Sequence, residues 1–267
     1  TVFVLFYAYP YLYVYGVKRT GKTKLLMIIE LTAFNARMSA SITTASIFRL
    51  VHTGRCTLAF DEEEKLVRAG ERADAWRAVI LSGYKQGGKV YRVEGERRLR
   101  TREYETYSPK VFANISGIED TIADRAIPFL MQRALGPKGD IEVRGDDPEW
   151  RRVRTLLALT ALTHFQEVKA IYEKIRDGGA GAFGEFETFV AMFSELNLSQ
   201  RELELWAPIL TVAVWLEKHG LTDFLSPLAE FMKQAVKERR EQEVGESRDA
   251  ALVTAPVSYT HLRAHET

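Results

Sequence analysis

The stretch YLYVYGVKRTGKTKLLMIIE, residues 11–30, constrains the chain more than any other. It spells Gly-x-x-x-x-Gly-Lys-Thr in full: Gly16, Val17, Lys18, Arg19, Thr20, Gly21, Lys22 and Thr23. Leu12 to Tyr15, just before it, are apolar or aromatic, the make-up of a buried parallel strand. Just after it, Leu25, Leu26, Ile28, Ile29 and Phe34 recur at helical rather than alternating spacing. Strand, glycine loop and helix is the order a phosphate-binding loop requires. Backbone N–H groups and a helix N-terminus surround the anion, Lys22 offers a point charge, and Thr23 can ligate Mg2+. The plainer alternative is a basic surface turn.

A second element strengthens the first. In RCTLAFDEEEKL, the apolar run from Cys56 to Phe60 ends in Asp61 and Glu62. A buried strand delivering an acid at its end supplies what a phosphate loop lacks, a carboxylate for Mg2+. Glu62, one residue on, can act as general base on an attacking water. Glu63 and Glu64 fit a surface or helix-start role.

The remaining apolar runs fill in a sheet. Candidate core strands fall near 11–15, 36–41, 56–60, 110–114 and 126–131, separated mainly by helical patterns near 22–34, 43–52 and 72–84. The expected fold is therefore α/β, a P-loop NTPase with a parallel sheet of about five strands flanked by helices, followed by a small all-helical region. Asn114 ends the fourth run, and Arg125 and Arg133 flank the fifth. Arginines beside a nucleotide site can stabilise charge on a leaving phosphate, although they are also ordinary strand-end residues. Beyond Pro148, residues 149–176, 200–218 and 221–240 read as helices, with the Gly-rich DGGAGAFGEF as a hinge or loop. The expected division is 1–145, 146–245 and a tail, 246–267. The last twelve residues, PVSYTHLRAHET, resemble sequencing-adapter read-through, and no fold or function is expected of them.

Composition narrows the function classes. A net charge of +1 across 267 residues leaves any nucleic-acid case to local clustering, and the single Cys56 excludes a disulfide framework. The histidines, at 52, 164, 219, 261 and 265, show no metal-binding spacing. Residues 1–17 carry no charge, but Pro10 interrupts them and they run into the glycine loop, so a core segment is expected rather than a membrane anchor. The expected location is cytoplasmic. With no initiator Met, the chain is expected to begin inside a longer protein. Between Lys85 and Lys110 there are eight Lys or Arg against four Glu, with Tyr84, Tyr91, Tyr104 and Tyr107 interspersed. Such a stretch either contacts DNA or is a solvated hairpin.

On YPYLYVYGVKRTGKTKLL, SASITTASIFRLV, LAFDEEEKL, LSGYKQGG, ISGIEDTIADRAIPFLMQR and ELWAPILTVAVWL, the chain resembles an AAA+-like P-loop ATPase domain. More narrowly, it is similar to uncharacterised ATPase domains of phage, plasmid and integrated-element replication proteins, associated with primases or helicases. The resemblance implies ATP and Mg2+ as cofactors and residues 16–23 as the nucleotide loop. It makes Asp61 and Glu62 the acidic pair, Asn114 the polar sensor, Arg125 an arginine finger acting on a neighbouring subunit, and Arg133 a second γ-phosphate sensor. It also implies a homo-oligomeric ring, a hexamer being one option, and ATP hydrolysis coupled to DNA remodelling. The loop departs from the commoner small-residue form in carrying Lys18 and Arg19. An ATP-dependent switch with little hydrolysis and a P-loop phosphotransferase are the alternatives.

Overall fold

Tyr11–Tyr15 forms the first strand, β1, because alternating aromatic and aliphatic side chains fill both faces of a buried sheet. A computed structural model describes residues 2–39, 42–61, 71–95, 98–114, 118–133, 141–177, 195–221, 224–241 and 244. Within these, β1 pairs in parallel with β6 (Lys110–Asn114) on one side and β7 (Ala126–Leu130) on the other. Strands β3 (Leu58–Asp61) and β2 (Arg37–Ser39) complete a five-stranded sheet in the order β2-β3-β6-β1-β7. All of its pairings are parallel. Pro128 lies within β7, where only β1 is a neighbour, so its missing N–H breaks no second ladder.

Parallel neighbours require crossovers, and helices supply most of them. The first is α1 (Lys22–Thr32), followed by α2 (Thr44–Gly54), α3 (Glu71–Ser82) and the short α4 (Asp120–Ala123). Thr43 caps α2 by accepting from the Ser46 N–H at 3.2 Å, the sort of hydroxyl cap its sequence suggested. KVYRVE, which alternates like an edge strand, joins a sheet of its own. It forms β4 (Lys89–Glu94), antiparallel to β5 (Arg100–Glu105), as a hairpin inserted between α3 and β6.

The single helical pattern over 149–176 divides at His164 into α5 (Glu149–Thr163) and α6 (Phe165–Arg176). The two halves have different partners. Val168, Ile171, Tyr172 and Ile175 of α6 are buried at i, i+3, i+4, i+7 spacing, and α6 packs on α7 (Gln200–Lys218). No residue of α5 is buried, and α5 lies against α1 instead. One straight helix could not serve both. A capping box of Ser199 and Glu202 starts α7, and a further helix, α8, runs over 225–241. GGAGAFGEF, which follows Asp177, and the tail 246–267 lie outside the described residues.

The uncharged N-terminal segment feeds the core through Phe3, Phe6 and Ala8. Val2–Leu5 is a 3-10 turn that buries Phe3 and, just after it, Phe6. The Tyr107 hydroxyl donates to the carbonyls of both. Phe6 also meets Tyr172 of α6 edge-on at 4.9 Å, which ties the sheet to the helical region. No helix among the described residues is long and apolar enough to cross a membrane.

Lys110 opens β6 and is 1% exposed. Its ammonium donates to Thr106 O, Ser108 O and Ser108 Oγ, each at 3.1 Å, and sits 5.1 Å from the Tyr11 ring centroid. None of these partners is a carboxylate, so burial pushes its pKa down to about 7. From there to the unfolded lysine value of about 10.4, the unfolded chain holds more protons than the folded one, and stability rises with pH. Denaturant unfolding between pH 7 and 10 is expected to show this rise, up to about 1.4 kcal/mol per pH unit. Lys110→Met should flatten it. Parallel curves for the two proteins would show that Lys110 does not titrate in that window.

Candidate functional site

The glycine loop leaves β1 at Tyr15 and turns into α1 in the space of six residues. Two glycines make this possible. Gly16 has φ 147°, and a Cβ there would stand 2.4 Å from Met131 O, because the chain leaving β7 runs directly over it. Gly21 has φ 89° at the N-cap of α1, whose first bond is Leu25 N–H to Gly21 O at 3.0 Å. Between them the buried Thr20 hydroxyl donates to Val17 O at 3.0 Å, pinning the loop from inside. Val17, Lys18 and Arg19 are exposed at the tip, Arg19 in the left-handed region at φ 65°.

Lys22 folds back over this loop. Its ammonium donates to Gly16 O at 2.7 Å and Val17 O at 3.0 Å. The cation therefore rests at the mouth of the loop, beside the N-terminal amides of α1, where the helix dipole also favours an anion. One residue on, the Thr23 hydroxyl donates to Asp61 Oδ2 at 2.8 Å. The sheet order explains that meeting. One strand, β6, lies between β1 and β3, with Tyr15 opposite Asn114 and Ala113 opposite Asp61. The loop, Asn114 and Asp61 thus share the carboxyl edge of three adjacent strands, where open parallel sheets bind ligands. Asn114 is 8% exposed there. Thr23 and Asp61 offer hard oxygens at hydrogen-bond separation, a donor set suited to Mg2+. Glu62 lies outside the described residues.

The two arginines part company. Arg133 is exposed, two residues beyond the Met131 carbonyl that crowds Gly16, and so belongs to the loop's edge of the sheet. Arg125 lies at the other edge. Its carbonyl accepts from Tyr11 N–H at the start of β1, and its guanidinium donates to Thr121 O and faces Asp124 Oδ2 at 3.8 Å. The length of β7 separates Arg125 from the loop of its own chain, roughly 15 Å at the usual rise per residue. Asp124 is shared with Arg201 of α7 at 2.8 Å.

In the basic stretch 85–110, the fold pairs or buries four of the eight cations. Lys85 pairs with Glu204 and Lys89 with Glu103, Arg102 faces Glu94 at 3.8 Å, and Lys110 is buried. Tyr84, Tyr104 and Tyr107 are core residues, which leaves Tyr91 as the exposed ring. Arg98 and Arg100, near the hairpin turn, are exposed, and Arg97 lies outside the described residues. The fold also makes one grouping that spacing could not reveal: His164 and His219, far apart in sequence, meet at Glu167.

No family model matches the chain. No curated protein matches it. Among solved structures, the chain is similar to JCV helicase, crystallised with a thiazolopyridinyl phenoxyphenyl acetamide. That match has 15% identity and a TM-score of 0.32, and covers 80% of this chain and 58% of that chain. A superposition at that score carries no functional argument.

Proposed function

We propose that this protein is a Mg2+-dependent ATPase whose hydrolysis drives DNA remodelling, as a helicase or translocase of mobile-element replication. The observation that carries this is the contact of Thr23 Oγ1 with Asp61 Oδ2 at 2.8 Å, beside a glycine loop that opens α1. A hydroxyl and a carboxylate from separate elements are brought to a single point, next to a lysine seated on loop carbonyls. The set is the one needed to hold a magnesium-bound triphosphate.

In this proposal the loop amides of residues 16–23 and the N-terminus of α1 bind the phosphates. Lys22 exchanges Gly16 O and Val17 O for phosphate oxygens. Thr23 and Asp61 hold Mg2+, which neutralises charge on the β- and γ-phosphates when bound. Glu62 orients the attacking water and takes its proton. Asn114, on the strand between loop and acid, would hold the water or the γ-phosphate. Arg133 serves as a sensor on the same edge. Arg125 lies too far from its own loop to serve it, so any phosphate it meets belongs to a neighbouring subunit of a ring.

Steady-state turnover of ATP with and without single- and double-stranded DNA tests the proposal. Mg2+-dependent turnover that DNA stimulates several-fold is expected. Turnover indifferent to both DNAs would remove the remodelling role, and tight MgATP binding without turnover would leave a switch.

The β4–β5 hairpin is the proposed DNA contact, through Arg98, Arg100 and the exposed Tyr91 ring. Charge reversal of both arginines, Arg98→Glu with Arg100→Glu, is expected to weaken DNA binding. It should also flatten the plot of log affinity against log salt by about 0.9 per lost phosphate contact on duplex. An unchanged slope would return the hairpin to a solvated role.

A further inference from the structure

Away from the nucleotide loop, three helix ends converge on one carboxylate. His164 occupies the corner between α5 and α6, Glu167 lies in the first turn of α6, and His219 follows the last residue of α7. His164 Nδ1 is 3.3 Å from Glu167 Oε2, and His219 Nε2 is 3.5 Å from the same oxygen. All three potential ligand atoms lie within 4.8 Å of one another. For zinc bound at about 2.0–2.2 Å, the edges of a ligand tetrahedron are about 3.3–3.6 Å. The separations of 3.3 and 3.5 Å have that length, and the third, between the two imidazoles, lies within 4.8 Å.

The surrounding bonds orient the donors. His219 Nδ1 is 2.9 Å from Trp215 O, a carbonyl that can only accept. Nδ1 therefore carries the proton, and the lone pair of a neutral ring is on Nε2, facing Glu167. A backbone carbonyl that fixes the tautomer in this way is the usual support of a metal-bound histidine. Glu167 Oε2 is held in turn by the indole N–H of Trp215 at 3.0 Å. A lone pair on nitrogen 3.5 Å from a carboxylate oxygen leaves a place for a metal ion between them. His164 and Glu167 are half-buried, and His219 opens to solvent, which gives an ion an entry path and a fourth position.

We propose that His164, Glu167 and His219 bind a divalent transition metal of the zinc class, with two imidazoles, one carboxylate and a solvent ligand. Bound there, the ion ties the α5–α6 corner to the end of α7. The site shares no residue with the nucleotide loop and stands or falls independently of it.

The test uses the full chain, stripped of metal by a chelator. Calorimetric titration with Zn2+ is expected to give one site of micromolar or tighter affinity, and Co2+ to give the intense visible absorption of a four-coordinate centre. Glu167→Gln and His219→Gln, which keep side-chain bulk, should weaken Zn2+ binding beyond the roughly 10–100-fold that loss of a supporting group costs. Lys22→Ala should bind Zn2+ like the parent. Circular dichroism of the metal-free variants establishes that they are folded. Folded parent chain that takes up no stoichiometric Zn2+ would overturn the proposal and leave the three side chains as a hydrogen-bonded cluster. Undiminished Zn2+ binding in the two variants would overturn it as well, placing the metal elsewhere.

Discussion

Lys22→Ala is expected to weaken MgATP binding and to lower ATP turnover by about 10²–10³-fold or more, the scale of losing one preorganised charge stabiliser. The variant keeps the loop amides, both glycines, the Thr20–Val17 hydrogen bond and the N-terminus of α1. It loses the ammonium held 2.7 Å from Gly16 O and 3.0 Å from Val17 O. Lys18 and Arg19 are exposed at the loop tip and are not expected to substitute. The check is calorimetric affinity for MgATP beside turnover, in variants shown to be folded. Equal affinity in parent and variant would mean that residues 16–23 do not bind nucleotide.

Glu62→Gln is expected to separate binding from chemistry. MgATP affinity should stay near that of the parent, while turnover falls by about 10²-fold or more, the range of general-base catalysis. The residue directly follows Asp61, the end of β3, whose Oδ2 accepts from Thr23. Gln keeps the size and can still accept a hydrogen bond from water, but cannot take its proton. Single-turnover measurement at saturating MgATP separates the chemical step from product release. Retained turnover would move the base role to another acid, Glu63 first.

What could be read in the sequence was local, and what could not was long-range. The loop was legible because its chemistry lies in eight consecutive residues after an apolar run, and β1 and β6 have the bounds their sequences suggest. Asp61 was legible as a strand-end acid. That its carboxylate reaches Thr23 depends on the placement of β6 between β1 and β3, which periodicity does not encode. RTREYE of β5 lacks the apolar alternation that marks a strand; it pairs through the hairpin and buries Tyr104 against Phe48 of α2. The break at His164 was hidden because both halves of 149–176 keep helical periodicity while their apolar faces meet different partners.

Charge was the least legible property. Lys110 counts as one more cation in a basic stretch, yet it is a buried donor to backbone carbonyls. Arg125 adjoins the last core strand, but at the edge remote from the loop, where Asp124 and Thr121 engage it. Both placements follow from strand direction. Residues that enter parallel strands gather at one edge of the sheet, and residues that leave them gather at the edge where the loop sits.

Calorimetric titration of the full chain with ATP, in Mg2+ and then in chelator, tests the nucleotide site most directly. One ATP per chain is expected, bound more tightly with Mg2+ than without. Asp61→Asn should remove the gain due to Mg2+ while leaving metal-free ATP binding nearly as it was, because the loop and Lys22 are untouched. A folded chain that binds no ATP saturably, or whose affinity is indifferent to both Mg2+ and Asp61, would contradict the assignment of Thr23 and Asp61 to a magnesium–nucleotide site.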